Sequence, residues 1–222
     1  LSSSQLQSLS TDQVSALSAT STAKLKSAQV ASLSTAQVAA LTTAQVSALA
    51  ATSVAALGSN QLNAMTTSQV GALTAAQIKG LSSSTFASMG TTQVAALTTG
   101  QVAGLSVAVV GAMTSTQVSA MTTSQVQSLT ANQVKALAAD KVAAMTTTQV
   151  AAFTSDQIKS LSATQLQALT TSEVAAMGTA QVKALTEAQI KSLTTDAVAA
   201  MTTAQVNALS AAQLKALSAS QV

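Results

Sequence analysis

Hydrophobic and small residues recur along this chain every eight positions, in the pattern L-[ST]-x-x-Q-V-x-A, without a single insertion or deletion. With Leu1 as position 1, every position 1 is Leu, Met or Phe, and position 6 is aliphatic or Phe except at Thr22. Position 8 is Ala, Ser or Gly except at Lys24. Two apolar columns and one small column are therefore kept throughout, which indicates a repeat array rather than an ordinary globular domain.

Two polar columns are almost as constant, because position 2 is Ser or Thr in 22 of 28 octads and position 5 is Gln in 21 of 28. Ser or Thr followed three residues later by Gln is a capping box, in which the hydroxyl accepts from the N3 amide and Gln reaches back to the N-cap amide. Positions 1 and 6 are then the two partners of a hydrophobic staple. The pattern predicts one very short capped helix in each octad.

This assignment gives each constant column a structural role. The predicted helix-capping residues are represented by Thr42, Gln45, Thr66, Gln69, Thr122, Gln125, Thr202 and Gln205. The predicted structural core is represented by Leu33, Val38, Leu41, Val46, Met65, Val70, Met121, Val126, Met177 and Val182.

The few charged residues support this division of the octad. All six acids occupy positions 3 to 5, in the proposed first turn, and six of the nine lysines occupy position 7, in the last turn. A helix favours negative charge near its start and positive charge near its end. Simple exposure to solvent would not separate the two signs in this way.

A continuous helix cannot use this period, since eight residues carry a side chain about 80° past two full turns. Because such short helices are unstable alone, neighbouring octads must stack. We therefore expect an all-α solenoid, or superhelix, of very short helices over 1–222, as a single array that is a segment of a longer one. The alternative is a β-solenoid, which the Val and Thr content and the even period favour, and which the abundant Ala opposes.

A second period, of seven octads, indicates how the octads wind. It relates Met65 to Met121 and Met177, and also Lys79 to Lys135. Within it, departures from the repeat recur after three and after four octads, which suits about three and a half octads per superhelical turn. Segmental duplication of the gene would leave the same mark.

The composition bounds the chemistry. The chain has no His, Cys, Tyr, Trp or Arg, so it lacks the His and Cys that most often act as base and nucleophile near neutral pH, its acids are sparse, and we expect neither an enzyme, a metal site nor a cofactor. A net charge of +3, scattered and without stacking aromatics, argues against nucleic-acid binding. Ser, Thr and Gln interrupt every octad, so a transmembrane segment is not expected.

Two stretches depart from the repeat. In the degenerate octads around 17–32, Ser21 and Thr22 replace Gln and an aliphatic residue, which predicts a decayed octad or a kink. In the octad that begins at Leu105, Val107 and Val109 occupy normally polar columns. They predict either an extra contact within the chain or a lateral contact between arrays.

Runs such as LSTAQVAALTTAQVSAL at 33–49 and MTTAQVNALSAAQLKAL at 201–217 resemble short tandem-repeat tracts of very large secreted or surface proteins of Gram-negative bacteria, often labelled adhesin-like or haem-utilisation proteins. The resemblance implies an extracellular or cell-surface location and a stalk-like role. The haem-utilisation label of those proteins implies no haem site in this chain. The leading hypothesis is thus a structural spacer or surface-fibre subunit whose partner is itself. The alternative is a binding module that presents its Ser and Thr columns to a glycan, a mineral or ice.

Overall fold

The computed structural model describes residues 1–221, in which every regular element is an α-helix and no strand is present. Each octad from the first to the twenty-seventh holds one helix of four to six residues. The predicted all-α solenoid of one short helix per octad is therefore confirmed, and the β-solenoid alternative is excluded for these residues. The chain forms two compact units, Leu1–Met113 and Thr114–Val222, while the sequence period continues through the boundary.

The helices of the first unit are α1 (Ser3–Gln7), α2 (Thr11–Ser15), α3 (Ala19–Thr22), α4 (Ser27–Ala31), α5 (Thr35–Ala40), α6 (Thr43–Ala48), α7 (Ala51–Val54), α8 (Ser59–Ala64), α9 (Thr67–Ala72), α10 (Ala75–Lys79), α11 (Ser83–Ala87), α12 (Thr91–Ala95), α13 (Thr99–Gly104) and α14 (Val107–Ala112).

Those of the second unit are α15 (Ser115–Ser119), α16 (Thr123–Ser128), α17 (Ala131–Ala136), α18 (Ala139–Val142), α19 (Thr147–Ala151), α20 (Ser155–Ser160), α21 (Ala163–Gln167), α22 (Thr171–Ala176), α23 (Thr179–Ala184), α24 (Glu187–Ser192), α25 (Thr195–Ala199), α26 (Thr203–Ala208) and α27 (Ala211–Ala216).

Each helix ends without proline or a left-handed glycine, and none of the described residues has a positive φ. In the six-residue helices the break occurs at position 1, where Leu49, for example, adopts φ −59° and ψ 143°. Its amide still donates to the carbonyl of Val46, 3.2 Å away, which closes a final tight turn. Position 2 is also extended, so after a six-residue helix such as α6 two extended residues precede the next helix. The period of eight thus consists of a one- to two-turn helix and a short extended link.

Within each unit, a helix packs against the third helix after it, as α5 does against α8 and α20 against α23. Glutamines at position 5 also bond to backbone that lies 28 to 31 residues earlier, as Gln45 does. A separation of 28 residues, divided by eight, gives three and a half octads per turn. This is the winding that the spacing of three and four octads predicts. Positions 1 and 6 fill the interior between successive turns.

Candidate functional site

The polar site that repeats in every turn begins with the N-cap of each helix. In the sixth octad, the Thr42 hydroxyl accepts from the amide of Gln45 at 3.2 Å. The side-chain oxygen of Gln45 accepts in turn from the amide of Thr42 at 2.7 Å. The same reciprocal pair occurs at Thr66 and Gln69. Two otherwise unpaired amides at each helix start are satisfied in this way.

The other residues assigned to the capping box occupy the same positions. Thr122 with Gln125 and Thr202 with Gln205 form full capping boxes at the starts of α16 and α26. Where position 2 is glycine, the Gln half of the box survives, since the amide of Gly58 donates to Oε1 of Gln61 at 2.9 Å. Gln therefore caps its helix even without a hydroxyl partner.

The residues assigned to the core lie in the interior. Each has 5% or less of its surface exposed: Leu33, Val38, Leu41, Val46, Met65, Val70, Met121, Val126, Met177 and Val182. They belong to the two columns assigned to the hydrophobic staple, and both columns are buried between turns. The methionines at position 1 pack as leucine substitutes do.

The Gln side chain makes a second set of bonds that sequence reasoning missed. Nε2 of Gln45 donates to the carbonyls of Val14 at 2.8 Å, Ser15 at 3.3 Å and Leu17 at 2.6 Å. These acceptors are positions 6 and 7 of the octad four before and position 1 of the next octad. We call this arrangement the glutamine clamp, meaning a position-5 Gln whose Oε1 caps its own helix and whose Nε2 binds the turn beneath it.

The glutamine clamp recurs through both units. Clamps with bonds to the preceding turn are made by Gln37, Gln45, Gln61, Gln69, Gln77, Gln93, Gln101, Gln149, Gln157, Gln165, Gln181, Gln189, Gln205, Gln213 and Gln221. The position-6 carbonyl among these acceptors also accepts from the next position-1 amide, as Val46 does from Leu49, whereas the position-1 carbonyl is one that a helix leaves unpaired at its C-terminal end. One amide thus caps the start of one helix and the end of another.

A signal for this second role was present in the sequence. A capping box accepts Glu as readily as Gln at N3, since only an acceptor is needed. Position 5 nevertheless holds Gln 21 times and Glu once, at Glu173. A column that requires a donor as well as an acceptor explains this preference for the amide.

Seven octads lack Gln at position 5, and their side chains show what the clamp contributes. Ser53 makes one bond in place of the clamp, since its hydroxyl donates to the carbonyl of Leu25 at 3.0 Å. Glu173 retains the cap, because its carboxylate accepts from the amide of Thr170 at 2.6 Å, but a carboxylate has no hydrogen to donate to carbonyls. The three four-residue helices, α3, α7 and α18, all begin in octads without the Gln.

The charges lie where the helix dipole favours them. Asp12, Asp156 and Asp196 are in first turns, and Lys79 and Lys215 are in last turns. An exposed pair joins Lys159 to Asp156 at 3.8 Å within α20. Exposed pairs of this kind contribute little to stability, so the charges stabilise individual helix ends rather than the contacts between turns.

In the degenerate octads around 17–32 the helical pattern persists. Thr22 is fully buried in place of the aliphatic residue, and its hydroxyl donates to the carbonyl of Ser18 at 3.1 Å. Lys24 and Lys26 are exposed. The buried hydroxyl is satisfied within its own helix, so this departure is accommodated without a break in the array.

The structure separates the two valines assigned to a lateral contact. Val109 has only 1% of its surface exposed and is a core residue of α14, which packs against α11. Its burial leaves it inaccessible to another array, because it occupies the inward-facing column that Gln normally fills. Val107 is 47% exposed and lies on the surface.

Other chemistry is sparse in the part of the chain that the structure describes. Residues 1–221 contain no group of three or more His, Cys, Asp or Glu side chains that could hold a metal ion. Over the same residues, every helix is too short to cross a bilayer. The feature repeated from turn to turn is the clamp.

A stack of short helices, joined by side chains that most octads supply at the same position, defines an all-α tandem-repeat protein. The chain belongs to the ALTTAQ repeat family, whose model matches residues 23–51, 52–83, 75–107, 99–131, 131–171 and 162–195. No curated protein matches the chain. The family assignment thus covers 23–195 and agrees with the octad L-[ST]-x-x-Q-V-x-A read from the sequence.

Proposed function

We propose that this chain is a structural spacer, or the subunit of a surface fibre, in which the repeat array itself is the functional element. The observation that carries the proposal is the glutamine clamp, because within each unit it joins successive turns by directional bonds in addition to apolar packing. We expect such repeated bonds to oppose bending and slipping along each unit.

The composition supports an extracellular, cell-surface location in a bacterium. The array has no cysteine to oxidise and no proline, and its nine lysines are few for its length. The resemblance to repeat tracts of large adhesin-like surface proteins points to the same location. Protease treatment of intact producing cells tests this, since a surface array is removed while cytoplasmic markers persist; full protection of the array would contradict the proposal.

We infer a non-enzymatic role for the array. The side chains that most often supply bases and nucleophiles, His and Cys, are missing from the sequence. The hydroxyls at position 2 are already committed as helix caps, as at Thr42 and Thr74.

A spacer predicts that length grows with the number of octads. Duplicating the segment 65–120 adds seven octads, or two turns of three and a half octads. If adjacent turns lie at helix-packing distance, 8–10 Å apart, the largest dimension should grow by roughly 16–20 Å while the cross-section stays the same. Small-angle scattering on both chains measures these quantities. An unchanged maximum dimension with a wider cross-section would refute the spacer.

The alternative function is binding of a glycan, mineral or ice through the hydroxyl columns. Its support is that position 3 is exposed at paired threonines such as Thr43, Thr67 and Thr203. A turn contains about three and a half octads, however, so the hydroxyls of consecutive octads point in different directions around the solenoid. A flat hydroxyl face would therefore include only every third or fourth octad. Thermal hysteresis and glycan-array binding by the folded chain test this function, and a negative result in both assays would refute it.

A further inference from the structure

Lysines that are far apart in the sequence come together on one side of the second unit. They stand at position 7 of α17, α20, α23, α24 and α27. In the structure α17 packs against α20, α20 against α23, and α24 against α27, while α23 and α24 are consecutive helices. We call these residues the basic strip, and all five are exposed: Lys135, Lys159, Lys183, Lys191 and Lys215.

The glutamine clamp places the lysines of the basic strip on adjoining turns. Nε2 of Gln189 donates to the carbonyl of Lys159 at 3.2 Å, and Nε2 of Gln213 donates to the carbonyl of Lys183 at 3.3 Å. Each of these glutamines stands two residues before the strip lysine of its own helix. The basic strip therefore follows the direction in which the turns stack.

The helices that stack on another side of the second unit carry alanine at the same position. α19 packs against α22 and α22 against α25, and their position 7 holds Ala151, Ala175 and Ala199. Asp196 lies on α25, away from the basic strip. The helix dipole explains why a lysine stands at position 7, but it does not explain why five lysines share one side.

The acids on the helices of the basic strip leave its positive charge in excess. These five helices hold two acids, Asp156 and Glu187, so their net charge is +3, which equals the net charge of the whole chain. Lys159 lies 3.8 Å from Asp156, but its side chain is still 55% exposed, and such a pair is weak. The basic strip therefore attracts negative charge.

The side chains available restrict the kind of anion. The chain has no Arg to bind a carboxylate or phosphate with two parallel bonds, and lysine acts as a point charge. Its two aromatic residues, Phe86 and Phe153, are buried, so no aromatic ring is available to stack on the bases of a single-stranded nucleic acid. A strip of point charges along the stack suits a linear polymer with regularly spaced negative charges.

We infer that the basic strip binds an acidic polysaccharide, whose carboxylates contact successive lysine ammonium groups along the second unit. The inference rests on the proposed cell-surface function, in which this contact would attach the spacer to a carbohydrate matrix. It differs from glycan binding through the Ser and Thr columns, because the contacts are between opposite charges and weaken as salt is added.

The test measures binding of the whole chain to polygalacturonate by isothermal titration calorimetry at low salt, with neutral dextran as the control polymer. Two triple variants compare the basic strip with other lysines. The strip variant is Lys159→Gln, Lys191→Gln and Lys215→Gln. The control variant, in the first unit, is Lys24→Gln, Lys26→Gln and Lys79→Gln.

Both triple variants have six lysines and six acids, so their net charge is zero. Glutamine is tolerated at position 7, as Gln127 and Gln167 show, and circular dichroism checks that both variants stay helical. The strip variant should bind polygalacturonate roughly a hundredfold more weakly, at about fivefold per lysine, while the control variant should bind nearly as the wild type does. An equal loss in both would overturn the basic strip, because net charge alone would then explain binding.

Two other probes test the assigned partner. Binding of oligothymidylate, or of phosphatidylglycerol vesicles, as tightly as polygalacturonate would overturn the assignment to a polysaccharide. A helical wild-type chain that binds no polygalacturonate at low salt would overturn the inference, while the spacer would stand if duplication of 65–120 lengthens the particle. Binding through the basic strip by a chain that does not lengthen on duplication would support the inference and refute the spacer.

Discussion

Replacing Gln77 with alanine would remove a complete clamp from the middle of the first unit. Oε1 of Gln77 accepts from the amide of Thr74 at 2.7 Å. Nε2 donates to the carbonyls of Val46 at 2.8 Å and Leu49 at 2.7 Å, with a longer bond to Ser47 at 3.4 Å. The side chain is 1% exposed, so water replaces none of these partners without opening the turn.

The cost follows from the number of groups left unpaired. A buried acceptor that loses its partner costs about 1–3 kcal/mol, and loss of an N-cap interaction costs about 1 kcal/mol. The carbonyl of Leu49 loses its partner, the carbonyl of Val46 keeps the amide of Leu49 but loses a bond worth about 1 kcal/mol, and the cap is lost, which together give roughly 3–5 kcal/mol. For a chain of this length, about 2–4 °C per kcal/mol translates this into a Tm lower by roughly 6–20 °C.

The matched control is Gln13→Ala. Gln13 caps α2 through the amide of Ser10, as Gln77 caps α10, but it is exposed and reaches no carbonyl of another turn within residues 1–221. Its replacement should cost only the cap, about 1 kcal/mol. Thermal and urea unfolding followed by circular dichroism, with hydrogen exchange of the α6 and α10 amides, measures both variants.

Gln77→Glu decides between capping alone and the clamp. If position 5 only capped the helix, Glu would be neutral or slightly stabilising, because a negative charge is favourable at a helix start. With the clamp, Glu removes the donor and places a carboxylate against carbonyl oxygens, so stability at neutral pH should fall at least as far as with Ala. A Gln77→Glu chain as stable as the wild type would refute the clamp as a contributor to stability.

Three further predictions test other parts of the repeat. Glu173→Gln should add the missing donor and raise the stability of the second unit by about 1–3 kcal/mol, seen as a higher urea midpoint; no increase would mean that α18 does not present its carbonyls there. Ala50→Thr should give α7 the hydroxyl cap that it lacks and slow amide exchange in that helix, for a gain of about 1 kcal/mol. Lys79→Glu should destabilise α10 by a few tenths of a kcal/mol at low salt, and an effect that persists at high salt would contradict a dipole origin.

The features that could be predicted from the sequence are those that depend on interactions within one octad. Thr42 and Gln45 stand three apart, and the staple partners Leu41 and Val46 stand five apart, so their roles depend on bonds within one octad and could be read directly. The sign separation of the charges is also local, since it depends only on the distance from a helix end. The winding of about three and a half octads was accessible because departures from the repeat recur after three and after four octads.

The second role of Gln was not accessible in the same way. Nε2 of Gln45 meets carbonyls 28 to 31 residues earlier, and no local rule connects residues so far apart. The position of Val109 was likewise ambiguous, because an apolar residue at position 5 is either a surface contact or a core residue until the neighbouring turn is placed. Both questions concern packing between turns rather than structure within an octad.

The sequence by itself therefore determined the helices, their caps and their core columns, since each rests on contacts within eight residues. Only the tertiary structure decided what joins one turn to the next, because the acceptors are backbone carbonyls, which every residue carries and which no sequence pattern marks. Stacking brings them to the Gln amide, and that contact joins separately unstable helices within each unit.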